Sequence, residues 1–160
     1  MKNILSRCVL FCLIVLACSQ YTFAQQPKQA ADSIAVVQTL NGFLEAFRNL
    51  DWEKFTAYFA TDATAFFPPS AKFPYRANNK NEIESIFKNV FEHAKKQKSS
   101  PPYLIIEPKE LKIQMMMPNA IATFLLDDPD LLGRRTVVLK KESEHWLIVH
   151  LHASGVAISK

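Results

Sequence analysis

The segment from Arg134 to Ile158 constrains the fold more than any other part of this chain. It reads RRTVVLKKESEHWLIVHLHASGVAI, and apolar residues alternate with polar ones on both sides of Glu142 to Glu144. Alternation with a period of two is typical of strands, and a short polar interruption is typical of a tight turn. We therefore predict two antiparallel strands here, Arg135 to Lys141 and His145 to Ala157.

Apolar residues spaced three and four apart predict helices in the first half of the chain. The expected N-caps are Asp32 or Ser33 for the first helix, Asp51 for the second, and Asn79 or Asn81 for the third. The first helix shows apolar residues at Ile34, Val37, Leu40, Leu44 and Phe47. Further strands are predicted at Thr64 to Phe67, Tyr103 to Glu107, Leu111 to Met117 and Ala120 to Leu126. Helices followed by an antiparallel meander predict an α+β domain with its helices on one sheet face.

The first residues are typical of a secretory leader rather than of a folded domain. Lys2 and Arg7 precede the apolar run from Cys8 to Cys18, and small residues lead up to Ala24. The run is shorter than the roughly 20 apolar residues that a membrane helix needs. We therefore expect cleavage after Ala24 and export, either to a periplasm or as a secreted protein.

A second cleavage site lies inside the same leader. Val15 to Cys18 resembles a bacterial lipobox, which would leave a lipoprotein anchored through Cys18. The intact mass of the mature protein distinguishes the two routes. The expected domain organisation is a signal peptide over 1–24, a disordered N-terminal segment over 25–32 and one domain over 33–158.

Cysteine usage and charge exclude several classes of partner. All three cysteines lie in the leader, so the mature domain has no disulfide and depends on its hydrophobic core. Removal of Lys2 and Arg7 lowers the formal net charge from +4 to +2, and the remaining charges are well mixed. Such a chain lacks the basic patch that nucleic-acid binding requires. We expect no nucleic-acid partner, and no membrane contact unless the chain is lipidated at Cys18.

Two stretches together carry a resemblance to a known superfamily. The first is FLEAFRNLDWEKFTAYFATDATAFFP, from Phe43 to Pro68, and the second is the last predicted strand with its Trp146, paired histidines and Ser154-Gly155. They resemble the nuclear transport factor 2-like superfamily, especially the SnoaL-like domains and the association domain of calcium/calmodulin-dependent kinase II. The resemblance implies a cone-shaped fold with a curved antiparallel sheet wrapped around three N-terminal helices. It does not decide the activity, because the superfamily includes isomerases, cyclases, assembly hubs and plain binding pockets.

Comparison with the ketosteroid-isomerase branch argues against that branch's chemistry. When Phe43 to Pro68 is aligned with the branch, its oxyanion-stabilising tyrosine corresponds to Phe43 and its general-base aspartate to Phe67. A phenyl ring neither donates a hydrogen bond to an enolate nor accepts a proton. We therefore assign no catalytic residue, and we expect no steroid isomerase activity.

The kinase branch is most similar in the last strand. Its pattern W…VH-aromatic-H-R-S-G corresponds here to Trp146 followed by Val149 to Gly155. That branch lines its cavity with arginines that attract carboxylates, and the corresponding positions here are Leu125, Val137 and Ala153. Because apolar side chains cannot make the charge-assisted hydrogen bonds that a carboxylate needs, the resemblance implies an apolar cavity that disfavours anions.

Strict alternation along the last predicted strand assigns its side chains to two faces. The inward set is Leu147, Val149, Leu151 and Ala153, and the outward set is Trp146, Ile148, His150, His152 and Ser154. The outward set is too apolar to lie comfortably in water. In the superfamily this outer face commonly packs on a second subunit, so we expect a homodimer with an interface at Trp146, Ile148, His150 and His152. An outer face screened by a loop is the alternative.

His150 and His152 also raise the question of a metal site. Two imidazoles on one strand face can begin a zinc site, but the pattern offers no third ligand, since His93 lies on a predicted helix and His145 at the strand start. We expect no metal and no cofactor. Asp127 to Asp130 lacks the spacing of a calcium loop and is interpreted as a hairpin turn.

The predicted pocket combines apolar walls with two tyrosines near its mouth. Its expected lining is Phe43, Tyr58, Phe67, Tyr75, Leu125, Val137, Val149 and Ala153. The predicted function is an exported, oligomeric module that binds a small molecule in an apolar cavity, without clear catalytic machinery. The alternative is a SnoaL-type isomerase, cyclase or hydratase acting on a small hydrophobic substrate.

Overall fold

The structure, a computed structural model, describes residues 29–68, 76–128 and 131–157 of the chain. The predicted leader, its two cleavage sites and Tyr75 lie outside the described residues. By compactness the chain divides into Met1–Ala35 and Val36–Lys160. Of the first unit the structure describes residues 29–35, which are helical, and the sheet lies in the second unit.

The described residues contain three helices. Helix α1 covers residues 29–48, α2 is Trp52–Ala57 and α3 is Lys80–Gln97. As predicted, Asp51 caps α2 by accepting a hydrogen bond from the Lys54 amide. Asn79 caps α3 in the same way through the Glu82 amide. These caps formed where the sequence placed them because a short polar side chain satisfies an otherwise unpaired N–H of the first turn.

Helix α1 begins earlier than the sequence indicated. It is already formed at residue 29, so the last residues of the segment predicted to be disordered are helical. Asp32 and Ser33 therefore lie inside the helix and neither is its N-cap. The buried stripe differs from the prediction near the start of the helix. Val36 rather than Val37 is fully buried, and Ile34, which was predicted to lie on the stripe, is 59% exposed.

In the described part of the chain, six strands form one curved, unclosed sheet. They are β1 Phe59–Phe66, β2 Arg76–Ala77, β3 Lys109–Met116, β4 Asn119–Asp128, β5 Leu131–Glu142 and β6 His145–Ala157. Their order across the sheet is β2-β1-β6-β5-β4-β3. Neighbouring strands are antiparallel except β1 and β6, which run parallel. The α+β class and the mainly antiparallel sheet are confirmed.

The predicted strand from Tyr103 to Glu107 is wrong. This run is not part of the sheet; the amides of Tyr103 and Leu104 instead donate to the carbonyl oxygen of Arg48, at 3.0 and 3.2 Å. Ile105 is 86% exposed, so the apolar residues of this run do not bury a common face. Prolines at both ends remove the N–H donors that a sheet ladder requires, which explains why apolar composition alone was misleading.

The helices and the sheet enclose a core rich in phenylalanine. Phe55 of α2 is fully buried, and its ring contacts six other aromatic rings at centroid distances from 4.7 to 6.5 Å. Those rings belong to Phe43, Phe47, Trp52, Phe59, Phe87 and Phe91. No helix among the described residues is long and apolar enough to span a membrane.

Candidate functional site

A β-bulge in the last hairpin decides which side chains face the helices. In the pairing of β5 with β6, Val138 lies opposite His150 but Leu139 lies opposite Ile148, so Val149 is the extra residue. An extra residue in one strand reverses the facing of everything beyond it. Trp146 and Ile148 consequently face the core and are 3% and 0% exposed. Their predicted outward facing is wrong.

Three residues that were predicted to line the pocket or to face inward are affected by this bulge or by the register of β4 with β5. Leu125 pairs with the exposed Arg134 on the outer face, while its neighbour Phe124 is buried inside. Leu147 and Val149 are half-buried, and neither is among the core residues. The predicted inward facing of Leu147 and Val149 is wrong because strict alternation was assumed where β6 carries a bulge. That of Leu125 is wrong because the register of β4 with β5 places Phe124, not Leu125, on the inner face.

Two predicted lining residues do face the helices. Val137 is 0% exposed and Ala153 is 9% exposed, and both lie on the inner side of the β5–β6 pair. Phe43 is also internal, but it does not border open space: its ring stacks on Phe55 at 5.2 Å and meets Phe59 edge-on at 5.6 Å. Aromatic rings thus occupy the space around Phe43, where the ketosteroid-isomerase resemblance would place a catalytic group.

Tyr58 and Phe67 lie in different places. Tyr58 ends α2, and its carbonyl oxygen accepts a hydrogen bond from the Ile148 amide at 2.8 Å. Its side chain lies against Gly42 of α1 and borders a cavity with Trp146 at the β5–β6 turn. Phe67 follows β1 and packs edge-on against Phe87 at 5.6 Å. The structure therefore does not bring the predicted tyrosine and Phe67 into one site.

An open cavity of about 480 Å³ lies where β1 ends and β6 continues. The β1–β6 pairing stops at Phe66 opposite His152, whereas β6 extends to Ala157 and pairs there with β5 alone among the described strands, so a notch opens on its β1 side. Its volume lies within the range of small-molecule sites. The notch is lined by Phe66, Phe67, Pro68, His150, His152, Ala153, Ser154 and Gly155. We call it the β6 notch.

His150 lines the β6 notch and has a side-chain hydrogen-bond partner. Its Nδ1 lies 2.8 Å from the Thr64 hydroxyl oxygen, and its ring meets Phe66 edge-on at 5.6 Å. Burial lowers the pKa of His150 below its usual range, and the nearby charges of His152 and Arg76 lower it further. At neutral pH the imidazole is therefore uncharged, the form that can accept a proton or a hydrogen bond.

None of the described residues that line the β6 notch is a carboxylate. Arg76 lies beside it, with its guanidinium carbon 5.6 Å from the centre of the Phe66 ring, within the range of a cation–π contact. Over the described ranges there is no group of three or more histidine, cysteine, aspartate or glutamate side chains that could hold a metal ion. Aromatic and imidazole groups, rather than acids, set the chemistry of this site.

Arg135 is a functional candidate that the sequence reasoning did not place inside the fold. It lies on β5 between the buried residues Gly133 and Val137, on the same face of the sheet as both. Its register partner on β6 is Ala153, which lines the β6 notch. Burial lowers the pKa of its guanidinium. The alternation of Val137 and Leu139 contained the signal that would have assigned Arg135 to the inner face.

The family follows from a sequence match. The model of the SnoaL-like domain matches residues 36–159, which is most of the chain. The chain belongs to the SnoaL-like domain family. This match begins in α1 and covers all six strands, so the β6 notch lies wholly within the SnoaL-like domain. No curated protein matches the chain significantly.

Solved structures confirm the nuclear transport factor 2-like fold of the SnoaL-like domain. An NTF2-like protein of unknown function from Pseudomonas putida KT2440 is 22% identical, with a TM-score of 0.64 over 79% of this chain and 87% of that one. A candidate dehydratase of the NTF2-like family from Streptomyces avermitilis is 15% identical, with a TM-score of 0.67 over 80% and 98%. A candidate ketosteroid isomerase from Parabacteroides distasonis is 17% identical, with a TM-score of 0.54 over 76% and 85%. At these identities the likeness shows the fold alone.

Proposed function

We propose that this SnoaL-like domain is an oligomeric module that binds a small, mainly apolar molecule in the β6 notch. The observation that supports it is the notch itself: about 480 Å³ of open space bordered by two phenylalanines, a proline and a few polar groups. Small-molecule sites are mostly apolar with a small number of polar groups that fix orientation. Of the two positions that carry catalysis in the isomerase branch, Phe67 lines the notch but has a phenyl ring that cannot accept a proton, and Phe43 is enclosed by other rings.

Binding is measured best with a neutral dye and a variant that fills the notch. Ser154 lines the notch and is half-buried, so Ser154→Phe places a ring in the open space without entering the core. We expect wild type to bind N-phenyl-1-naphthylamine saturably and Ser154→Phe to bind it at least about tenfold more weakly, because the apolar area available to the ligand is lost. Fluorescence titration measures both affinities.

Val156→Phe is the matched control for this filling variant. Val156 lies two residues further along β6, is 45% exposed and is not among the lining residues. Its substitution should change the dye affinity by less than about twofold. Unsaturable dye binding by wild type, or equal losses in both variants, would contradict a site in the notch.

The oligomer in this proposal is a homodimer formed through the outer sheet face. That face carries half-buried or exposed apolar side chains at Ile121, Leu125, Val138, Leu147 and Phe66. Because Trp146 and Ile148 are buried within the chain itself, the proposed interface depends on His150 and His152 together with these apolar residues. Since Phe66, His150 and His152 also line the β6 notch, the ligand would bind at the edge of this interface. Exposed apolar surface of this kind is stabilised by a partner that removes it from water.

The alternative is a SnoaL-type isomerase, cyclase or hydratase in which His150 accepts a proton. The neutral imidazole, held by the Thr64 hydroxyl at 2.8 Å and bordering the notch, favours it. A positioned base accelerates proton abstraction by about 10²- to 10⁴-fold. Exchange of the α-protons of 2-tetralone in D₂O, followed by NMR, discriminates the two functions: exchange that is catalysed by wild type and lost in His150→Gln supports the enzyme, and no catalysed exchange supports the binding module.

A further inference from the structure

Arg135 brings a cation to an otherwise apolar part of the inner sheet face. Its register partners are Phe124 on β4 and Ala153 on β6, which are 4% and 9% exposed. Val137, two residues further along β5, is fully buried. A charged side chain placed among such neighbours loses part of its hydration, and an oppositely charged partner would offset that loss.

The position of the guanidinium is defined by three backbone features. Its Nη1 donates to the carbonyl oxygens of Arg134 at 2.9 Å and of Ser154 at 3.0 Å. A Cβ atom at Gly133 would lie 3.1 and 3.3 Å from Nη1 and Nη2, so the group lies over this glycine. The missing side chain of Gly133 provides the space that the guanidinium occupies.

The guanidinium retains unused donors. An arginine side chain carries five N–H donors in a fixed fork, and here only those of Nη1 have acceptors among the described residues. Within those residues no carboxylate forms an ion pair with Arg135. Nε and Nη2 therefore remain available to an acceptor that comes from outside the chain.

This guanidinium lies next to the β6 notch. Ala153, its register partner, and Ser154, whose carbonyl oxygen it binds, both line the notch. A ligand that lies against Phe66 and Phe67 and extends over Ala153 would approach this guanidinium, although Arg135 is not itself among the described lining residues. The fork of an arginine matches the two oxygens of a carboxylate, and the charge-assisted bonds are stronger where water is excluded.

We propose that the ligand of the β6 notch is an apolar molecule with a carboxylate group, and that Arg135 binds this carboxylate. The inference rests on the proposed binding function and names its ligand class. It reverses the expectation of a site closed to anions, which considered only Leu125, Val137 and Ala153. The cation is supplied instead by Arg135, which lies between Gly133 and Val137 on β5.

A pair of probes of equal shape tests the proposal. 2-Naphthoate and 2-naphthamide have the same ring system and differ in charge. In isothermal titration calorimetry at low salt, we expect wild type to bind 2-naphthoate at least about tenfold more tightly, the size of effect given by one good charge-assisted hydrogen bond. Added NaCl should reduce the difference only in part, because the partly buried cation is screened less than a surface charge.

The variant Arg135→Gln removes the charge and keeps an uncharged amide donor on a shorter side chain. It should lower the preference for 2-naphthoate to less than about threefold while leaving the affinity for 2-naphthamide nearly unchanged. Arg134→Gln is the matched control, because Arg134 is the adjacent residue and its side chain is exposed on the outer face. The control should keep the full preference.

The probe titrations distinguish a failure of the carboxylate assignment from a failure of the proposed binding function. Equal affinity of wild type for the two probes overturns the carboxylate assignment and leaves the binding function intact. If Arg134→Gln lowers the preference for 2-naphthoate as much as Arg135→Gln does, the carboxylate assignment is also overturned. A general attraction of the anion to the positively charged surface would then explain the preference. Binding of neither probe overturns the proposed function together with this inference. Circular dichroism confirms that each variant is folded, and if Arg135→Gln is not, the wild-type preference and its salt dependence decide.

Discussion

Replacing Phe55 by alanine is expected to lower the free energy of unfolding by about 3–5 kcal/mol, the usual cost of removing a fully buried aromatic ring. Phe55 is 0% exposed and lies at the centre of the aromatic core, with the Phe87 ring only 4.7 Å away. The cavity would be bordered by rings from both longer helices, which cannot close together without losing their own contacts. Urea denaturation followed by circular dichroism measures the change.

Phe66→Ala is the matched control for this substitution. The Phe66 side chain is 41% exposed on the outer sheet face, so the same change removes less buried area. Its loss in unfolding free energy should be less than half of that of Phe55→Ala. Similar losses for the two variants would show that the phenylalanine cluster around Phe55 is not the main core of the domain.

Val138→Glu is expected to dissociate the proposed homodimer. Val138 is half-buried in the middle of the outer face, between Ile121 on β4 and His150 on β6. In the monomer its new carboxylate would reach water, whereas in the dimer it would be an unpaired charge in a desolvated interface, which costs several kcal/mol. The dissociation constant should therefore rise by more than about a hundredfold, as measured by sedimentation velocity over a concentration series.

A glutamate at Ile105 provides the comparison for the dimer. Ile105 is 86% exposed and lies outside the sheet, so Ile105→Glu should leave the dissociation constant unchanged. A wild type that sediments as a monomer at every concentration would remove the basis for the dimer. Dissociation by both substitutions would place the interface elsewhere.

The parts of the fold that depend on local chemistry could be predicted from the sequence. The N-caps Asp51 and Asn79 act as expected, and the last strand begins at His145 and ends at Ala157 as predicted. A cap needs only a short polar side chain at the first turn, and a strand end needs only a break in the apolar pattern. Such signals are contained within a few neighbouring residues.

The facing of side chains could not be obtained in the same way. Nothing in the run HWLIVHLHASG marks Val149 as the extra residue of a bulge, because the bulge depends on how β5 and β6 pair. One inserted residue was enough to move Trp146 and Ile148 from the outer face into the core. Similarly, the filling of the interior around Phe43 depends on rings from α2, β1 and α3 that meet only in the folded chain.

The location of the ligand site is tested most directly by a titration of the isotope-labelled protein with 2-naphthamide, followed by ¹H–¹⁵N correlation NMR. This neutral probe reports on the β6 notch whether or not Arg135 binds a carboxylate. We expect saturable shift changes that are largest at the amides of Ala153, Ser154 and Gly155, which line the notch. Changes centred on Phe43 and Phe55, or the absence of any saturable change, would contradict a binding site in the β6 notch.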